Sequence, residues 1–169
     1  MVGVYNVGMS SYAADGLPIR RLAGGELRPV LQVFEGLSER SRRLRFLGPK
    51  PRLREGELAQ LVDVGCCGRE AIVATDPATG RAVGIARYVE VSSDTAEVAF
   101  EVVDDWQGRG VGRRLVLALA ELASEHGLRR LSASIAVDNP AAMALMRRLG
   151  RVEWTAYDAG AYEVVVALR

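Results

Sequence analysis

Gln107-Gly108-Arg109-Gly110-Val111-Gly112 stands between a stretch that alternates like a β-strand, Thr95 to Val103, and one that repeats like a helix, Gly110 to Glu125. Closely spaced glycines let the backbone approach a ligand, and a helix that opens directly after them presents unpaired N–H groups and a partial positive charge. A phosphate or pyrophosphate is the natural guest of such a turn. A glycine-rich turn before a helix can also be purely structural, so its surroundings decide the reading.

Upstream, Ala71 to Thr75 and Ala82 to Val91 read as strands around the turn Asp76 to Gly80, and Ser92 to Asp94 makes a second short turn before Thr95. Two short turns predict two antiparallel connections. Downstream, Val111, Leu115, Ala118, Leu119 and Leu122 form an apolar stripe on a helix that Gly127 ends. Leu131 to Val137 alternates as a strand and, being reached through a helix, is predicted to run parallel to Thr95 to Val103. Asn139 as N-cap, Pro140 at the first helical position and Gly150 as C-terminal cap bound a further helix, and Glu163 to Leu168 is the last strand.

Before the sheet, Val30, Val33, Phe34 and Leu37 recur at helical spacing from Pro29. Ser41 to Phe46 continues that helix or starts another, Gly48, Pro49 and Pro51 interrupt, and Glu55 to Val62 forms a short helix. The predicted class is α/β (α+β, mixed sheet), its antiparallel strands turning parallel at the glycine loop. Residues 1–16, small and polar without a period, are expected to be a flexible N-terminal arm, and residues 17–169 a single domain.

The 169 residues carry 22 basic and 21 acidic side chains, a net charge of +1, which argues against wholesale binding to nucleic acid or a membrane surface. Seven of the basic residues, including Lys50, fall between Arg40 and Arg54; a solvated helix face and a dock for an acidic partner both account for them. Cys66 and Cys67 are the only cysteines, and neighbours pair only in a strained ring, so no disulfide framework is expected. With His126 as the one histidine, the usual zinc set is missing, and a reducing, cytoplasmic, metal-independent protein is expected. No run approaches the length of a membrane span, and the start does not read as a signal peptide. His126, beside Gly127, is expected at the surface.

Three phosphate-binding readings compete for the loop. A P-loop fails because Gly-Lys-Ser/Thr is absent. A dinucleotide site matches Gly108 and Gly110 and could use Asp138, but Arg113 stands where a close-packing Gly or Ala is needed. The third is a coenzyme A site: Gln107-x-x-Gly110-x-Gly112 resembles the pyrophosphate loop of the GNAT superfamily of N-acetyltransferases. The family's later pattern is matched by Asn139, Ala142, Leu145 and Gly150. Leu37-Ser38-Glu39-Arg40-Ser41, Leu44-Arg45-Phe46, Pro49-Lys50-Pro51-Arg52-Leu53 and Ala96-Glu97-Val98-Ala99-Phe100 are similar to the GNAT domain of the bacterial Pat-like protein lysine acetyltransferases. Members of that group commonly carry a sensor domain as well, for which 169 residues leave no room.

The resemblance implies a GNAT acyltransferase fold, acetyl-CoA as cosubstrate, no metal, and an acceptor that is a protein lysine, for example on an acyl-CoA synthetase, or a small amine. A non-catalytic acyl-CoA-binding module is the alternative from another class. An alkyl amine of pKa near 10.4 is about one part in 2,500 deprotonated at pH 7, a cost of roughly 4 to 5 kcal/mol that a nearby base would offset. Glu97 and Glu101 share a strand face. By resemblance Glu97 is the general base, direct or through water, with Glu101 second. The resemblance further implies that Val102 and Val103 supply a backbone N–H to the thioester carbonyl and pair with pantetheine. Gln107, Gly108, Arg109, Gly110, Val111, Gly112 and Arg113 form the pyrophosphate loop. Asn139 is explained as an N-cap and, by resemblance, also touches the pantetheine arm. One departure is Met146, where many GNAT enzymes have a tyrosine that protonates the leaving thiolate; Tyr157 and Tyr162 have no assigned role.

Overall fold

The computed structural model describes residues 16–169, so the expected arm lies, but for Gly16, outside the described residues. The elements follow as β1 (Ile19–Arg21), α1 (Leu27–Glu35), α2 (Glu39–Phe46), α3 (Glu55–Val62), β2 (Arg69–Thr75), β3 (Ala82–Glu90), β4 (Thr95–Val102), α4 (Val111–Glu125), β5 (Arg130–Ala136), α5 (Pro140–Leu149), β6 (Gly150–Asp158) and β7 (Ala161–Leu168). They build a 7-stranded sheet in the order β1-β2-β3-β4-β5-β7-β6. Every neighbouring pair is antiparallel except β4 with β5.

β2 and β3 are buried almost from end to end because the sheet is covered on both faces at its middle. One face takes α4 and α5, whose Leu115, Leu119, Leu122, Met146 and Leu149 pack with Ile72, Tyr88, Val98, Leu131 and Val164. The other takes α1 and α3, with Val30, Val33 and Val62 against Val73 and Ile85. α4 ends as expected, Gly127 N–H bonding Ser124 O and Leu128 N–H bonding Ala123 O. His126, at that end, is exposed, yet its Nδ1 meets the hydroxyl of buried Tyr88 at 2.5 Å.

α1 and α2 are separate helices: Ser38 caps α2, its Oγ accepting from Ser41 N–H at 3.2 Å. β6 corrects the expectation of one C-terminal strand. It is an exposed edge with a register shift between Val152 and Trp154, which breaks the alternation a strand is read by. Gly150 is the second correction. It is not a left-handed cap but the extended first residue of β6, with φ 168°, and a side chain there would run into the Ala167 carbonyl.

Four of the seven basic residues of the stretch are engaged within the chain, while Arg40, Arg52 and Arg54 are exposed. Arg42 stacks on Phe34 with its guanidinium carbon 4.1 Å from the ring centre and donates to Phe34 O, Arg43 pairs with Asp138, and Lys50 pairs with Glu57. Arg45 Nε donates to Glu101 Oε2 at 2.5 Å, while Arg87 Nη2 donates to Glu101 Oε1 at 3.0 Å and Arg87 Nη1 to Leu61 O at 2.6 Å. The Glu101 side chain is 8% exposed. Burial works to raise its pKa, but Arg45 and Arg87 outweigh burial and hold it below the ordinary 4.5. Burial likewise lowers the Arg87 pKa against the pull of Glu101.

Two predictions follow from this packing. Gly150→Ala should lower stability by at least about 2 kcal/mol through overpacking against backbone, read as a drop in thermal midpoint. Glu101→Gln leaves the buried Arg87 and the partly buried Arg45 without their counter-charge and should cost about 3 kcal/mol. Because the folded carboxyl is depressed, the stability it contributes is complete above 4.5 and is lost as pH falls through the folded value. Unfolding midpoints of wild type and Glu101→Gln should therefore converge on acidification below pH 4.5.

Candidate active site

β4 and β5 pair only through Thr95 with Arg130, Ala96 with Leu131 and Glu97 with Ser132, although both strands run on. Alternate residues of β4 turn their backbone groups to opposite neighbours. Val103 N–H donates to Val83 O on the β3 side, and Asp94 O accepts from Arg129 and Arg130 on the β5 side. Phe100 and Val102 therefore aim their N–H groups at a β5 that has moved away. Backbone polar groups of this kind call for a partner, and an extended chain laid against β4 would supply it.

The opening is a cleft of two connected parts. The larger, about 580 Å³, is lined by Phe100, Glu101, Val102, Gln107, Gly108, Gly110, Gly112, Arg113, Asn139 and Leu145, with Arg40, Ser41, Leu44 and Arg45 of α2 forming its far wall. The smaller, about 280 Å³, is lined by Glu97 to Phe100, residues 133–135 of β5, Leu44 to Leu47, and again Asn139.

At the mouth of the larger part α4 begins without a side-chain cap. Gly110, with φ +80°, makes the turn that an L side chain resists, and the first helical bond is Arg114 N–H to Gly110 O. The N–H groups of Val111, Gly112 and Arg113 thus lack intrahelical acceptors and can receive an anion. A Cβ on Gly112 would sit 3.2 Å from Leu145 Cδ1 and 3.7 Å from Val102 Cγ2, so the residue keeps the floor of the cleft low. Gln107 ties the loop down: its Nε2 donates to Val102 O at 3.0 Å and reaches Ser41 Oγ and Asp104 Oδ1 at 3.3 Å. An apolar channel with free strand N–H groups that ends on an uncapped helix fits an acyl thioester on a pyrophosphate-bearing arm.

The sequence-predicted residues divide. Glu97, Glu101, Val102, Gln107, Gly108, Gly110, Gly112, Arg113 and Asn139 meet at the cleft. Val103 does not, since its N–H is spent on Val83 O and its side chain packs against Gly36. The side chains of Arg109, stacked 5.2 Å from the Trp106 ring centre, and Val111, buried, also lie off the cleft, leaving only their backbone to the loop. Glu101 is locked between two arginines, whereas Glu97 is exposed and engages no described partner. Asn139 can do both of its jobs: Oδ1 accepts from Ala142 N–H at 3.1 Å, and the amide nitrogen has no described partner. Met146 is fully buried in the core, and none of the described tyrosines lines the cleft.

Phe100 and the α2 wall escaped the sequence reading. Alternation along β4 already carried the parity that turns the Phe100 N–H toward β5, but nothing local announced that β5 would leave. For the α2 wall, the signal was the density of arginine, read there without partners.

The Acetyltransferase (GNAT) family model matches residues 39–150. The chain is similar to the acetyltransferase Pat of Mycolicibacterium smegmatis, 39% identical over 105 residues, which are 61% of this chain and 31% of that protein. It thus spans about a third of that relative's length. It is also 39% identical over 88 residues to an L-methionine sulfoximine/L-methionine sulfone acetyltransferase of Pseudomonas aeruginosa, covering 49% of this chain and 51% of that one. Among solved structures, the GNAT domain of S. lividans PAT superposes with a TM-score of 0.80 at 25% identity over 90% of both chains. The glycine loop, the parting strands and all of the cleft's lining but Leu37 fall inside the matched span, and the chain belongs to the acetyltransferase (GNAT) family.

Proposed function

We propose that the chain transfers the acetyl group of acetyl-CoA to a protein lysine ε-amine, for example on an acyl-CoA synthetase, by direct attack in a ternary complex. The observation that carries the mechanism is the contrast between two carboxylates on one strand face. Glu101 is held ionised by Arg45 and Arg87, one on each oxygen, and so takes up a proton poorly, whereas Glu97 opens on the cleft without a described partner. Glu97 takes the proton from the incoming ammonium. Three steps along the strand separate it from Phe100, about 10 Å, so the proton passes through water. The Phe100 N–H polarises the thioester carbonyl, and the Val102 N–H holds the arm beyond it. Departure of thiolate needs no acid, its pKa being near that of a cysteine.

The lysine acceptor is supported by the similarity to Pat and to the S. lividans PAT domain, and by the segments of α2 and β4 that resemble that group. A small amine is the second reading, favoured by the methionine sulfoximine acetyltransferase among the relatives. The proposal includes residues 17–169 working as one unit in the cytoplasm. Among the described residues no helix is long and apolar enough to cross a membrane.

Coenzyme A release from acetyl-CoA should be seen with an acyl-CoA synthetase and not in a no-acceptor control. Turnover with small amines alone would discard the protein acceptor, and tight acetyl-CoA binding with no turnover would make the chain a binding module. Glu97→Gln should keep acetyl-CoA affinity, by calorimetry, while kcat/KM for the acceptor falls by about two to four powers of ten; unaltered turnover removes Glu97 from the mechanism. Gly112→Val should do the reverse, raising the KM for acetyl-CoA about tenfold or more by blocking loop N–H contacts, with a smaller effect at saturation.

A further inference from the structure

Pairing across the sheet sets Val89, Glu97, Ser132, Val165 and Trp154 in one row, on β3, β4, β5, β7 and β6, so all five side chains leave the same face. The opposite face of this half is covered by α4 and α5. On Glu97's face α1 and α3 stop over β2 and β3, and α2 reaches β4 and β5; among the described residues no helix packs on β7 or β6 there.

Trp154 reaches this bare face only because of the bulge at Glu153. Val152, paired with Val166, points into the α4–α5 core, and in unbroken alternation Trp154 would follow it. The extra residue turns the indole out instead, where it is 53% exposed on an edge strand. A fold that needed only burial would have turned this indole the other way.

The charges on this face are unevenly settled. Arg130 is held by Asp94 and Glu153, and Arg151 by Glu153. Glu97 and Glu163, the latter in register with Ser134 and Ala156, have no described partner. The bare face therefore offers two open carboxylates and an exposed indole while its arginines are neutralised, and it runs without a break into the cleft at Glu97.

We propose that this face docks a basic, lysine-bearing segment of a folded protein acceptor, with Trp154 as its anchor and Glu163 receiving a second cation beside the target lysine. The inference rests on the protein-lysine reading above. Trp154 lies three interstrand steps from Glu97, about 14 Å. A small amine at Glu97 does not reach it; the surface of a protein acceptor does.

The test compares wild type, Trp154→Ala, Trp154→Phe and Glu163→Gln, using an acyl-CoA synthetase and Nα-acetyl-lysine amide as acceptors. For Trp154→Ala the KM for the synthetase should rise about tenfold or more, with its kcat, the KM for acetyl-CoA and turnover of the lysine analogue within twofold of wild type. Trp154→Phe should recover most of the loss, and Glu163→Gln should weaken the synthetase alone. An unchanged KM for the synthetase in Trp154→Ala overturns the docking face and leaves the lysine reading standing. Equal losses on both acceptors overturn it too, since Trp154 would then support the fold. A wild-type dimer that Trp154→Ala dissolves, with KM unchanged, assigns the face to a second copy of this chain. A wild type inert toward the synthetase but active on the analogue removes the protein acceptor, and the docking face with it.

Discussion

The parting of β4 from β5 is the constraint on which the rest of the molecule depends. Each strand keeps its antiparallel partner over nearly its whole length, β4 with β3 and β5 with β7, and gives up the parallel one after three pairs. Parallel pairing is slightly the weaker of the two per residue, so it yields where the twists of two antiparallel half-sheets cannot both be met. The unpaired edge would be a liability on an open sheet. Here it is enclosed by α2, the glycine loop and the start of α5, so its N–H groups become the lining of a cleft.

The wall opposite that edge is built from charge. α2 contributes no fully buried residue; Arg42, Arg43 and Arg45 reach in three directions, to Phe34, Asp138 and Glu101, and so join α1, the end of β5 and the floor of β4. Glu101 is the point at which this wall meets the sheet. A carboxylate flanked by two guanidinium groups accepts hydrogen bonds well and protons poorly, so one strand face carries a structural acid and, two pleats away, an open one.

Much of this was legible in the sequence because local rules and tertiary packing agree. The apolar stripe of α4, the Asn139 cap and the hairpin turns each come from residues whose preferences the fold obeys. The glycine loop was legible because few residue types tolerate its backbone. What was not legible depended on distant partners. β6 was hidden by its bulge, which breaks the period that identifies a strand. Gly150 was misread because a glycine after a helix signals a left-handed cap, whereas this one is required by the carbonyl of Ala167, a residue on another strand. The arginines of α2 left a solvated face and an acidic-partner dock both open, because Glu101 and Asp138, which Arg45 and Arg43 reach, are far along the chain. The exposed turn at Cys66 and Cys67 has no explanation in the structure.

The polar attachment of α2 also sets the thermodynamic character of any motion in it. Lifting a helix that buries little apolar surface exposes little, so it would carry a small heat capacity change and respond only weakly to denaturant. Its hold on the sheet would instead be loosened by added salt at its exposed Arg43–Asp138 contact and kept at the shielded Arg45–Glu101 contact. The wall of the cleft is thus tuned by ionic strength at its rim, while the two apolar cores beneath it follow temperature.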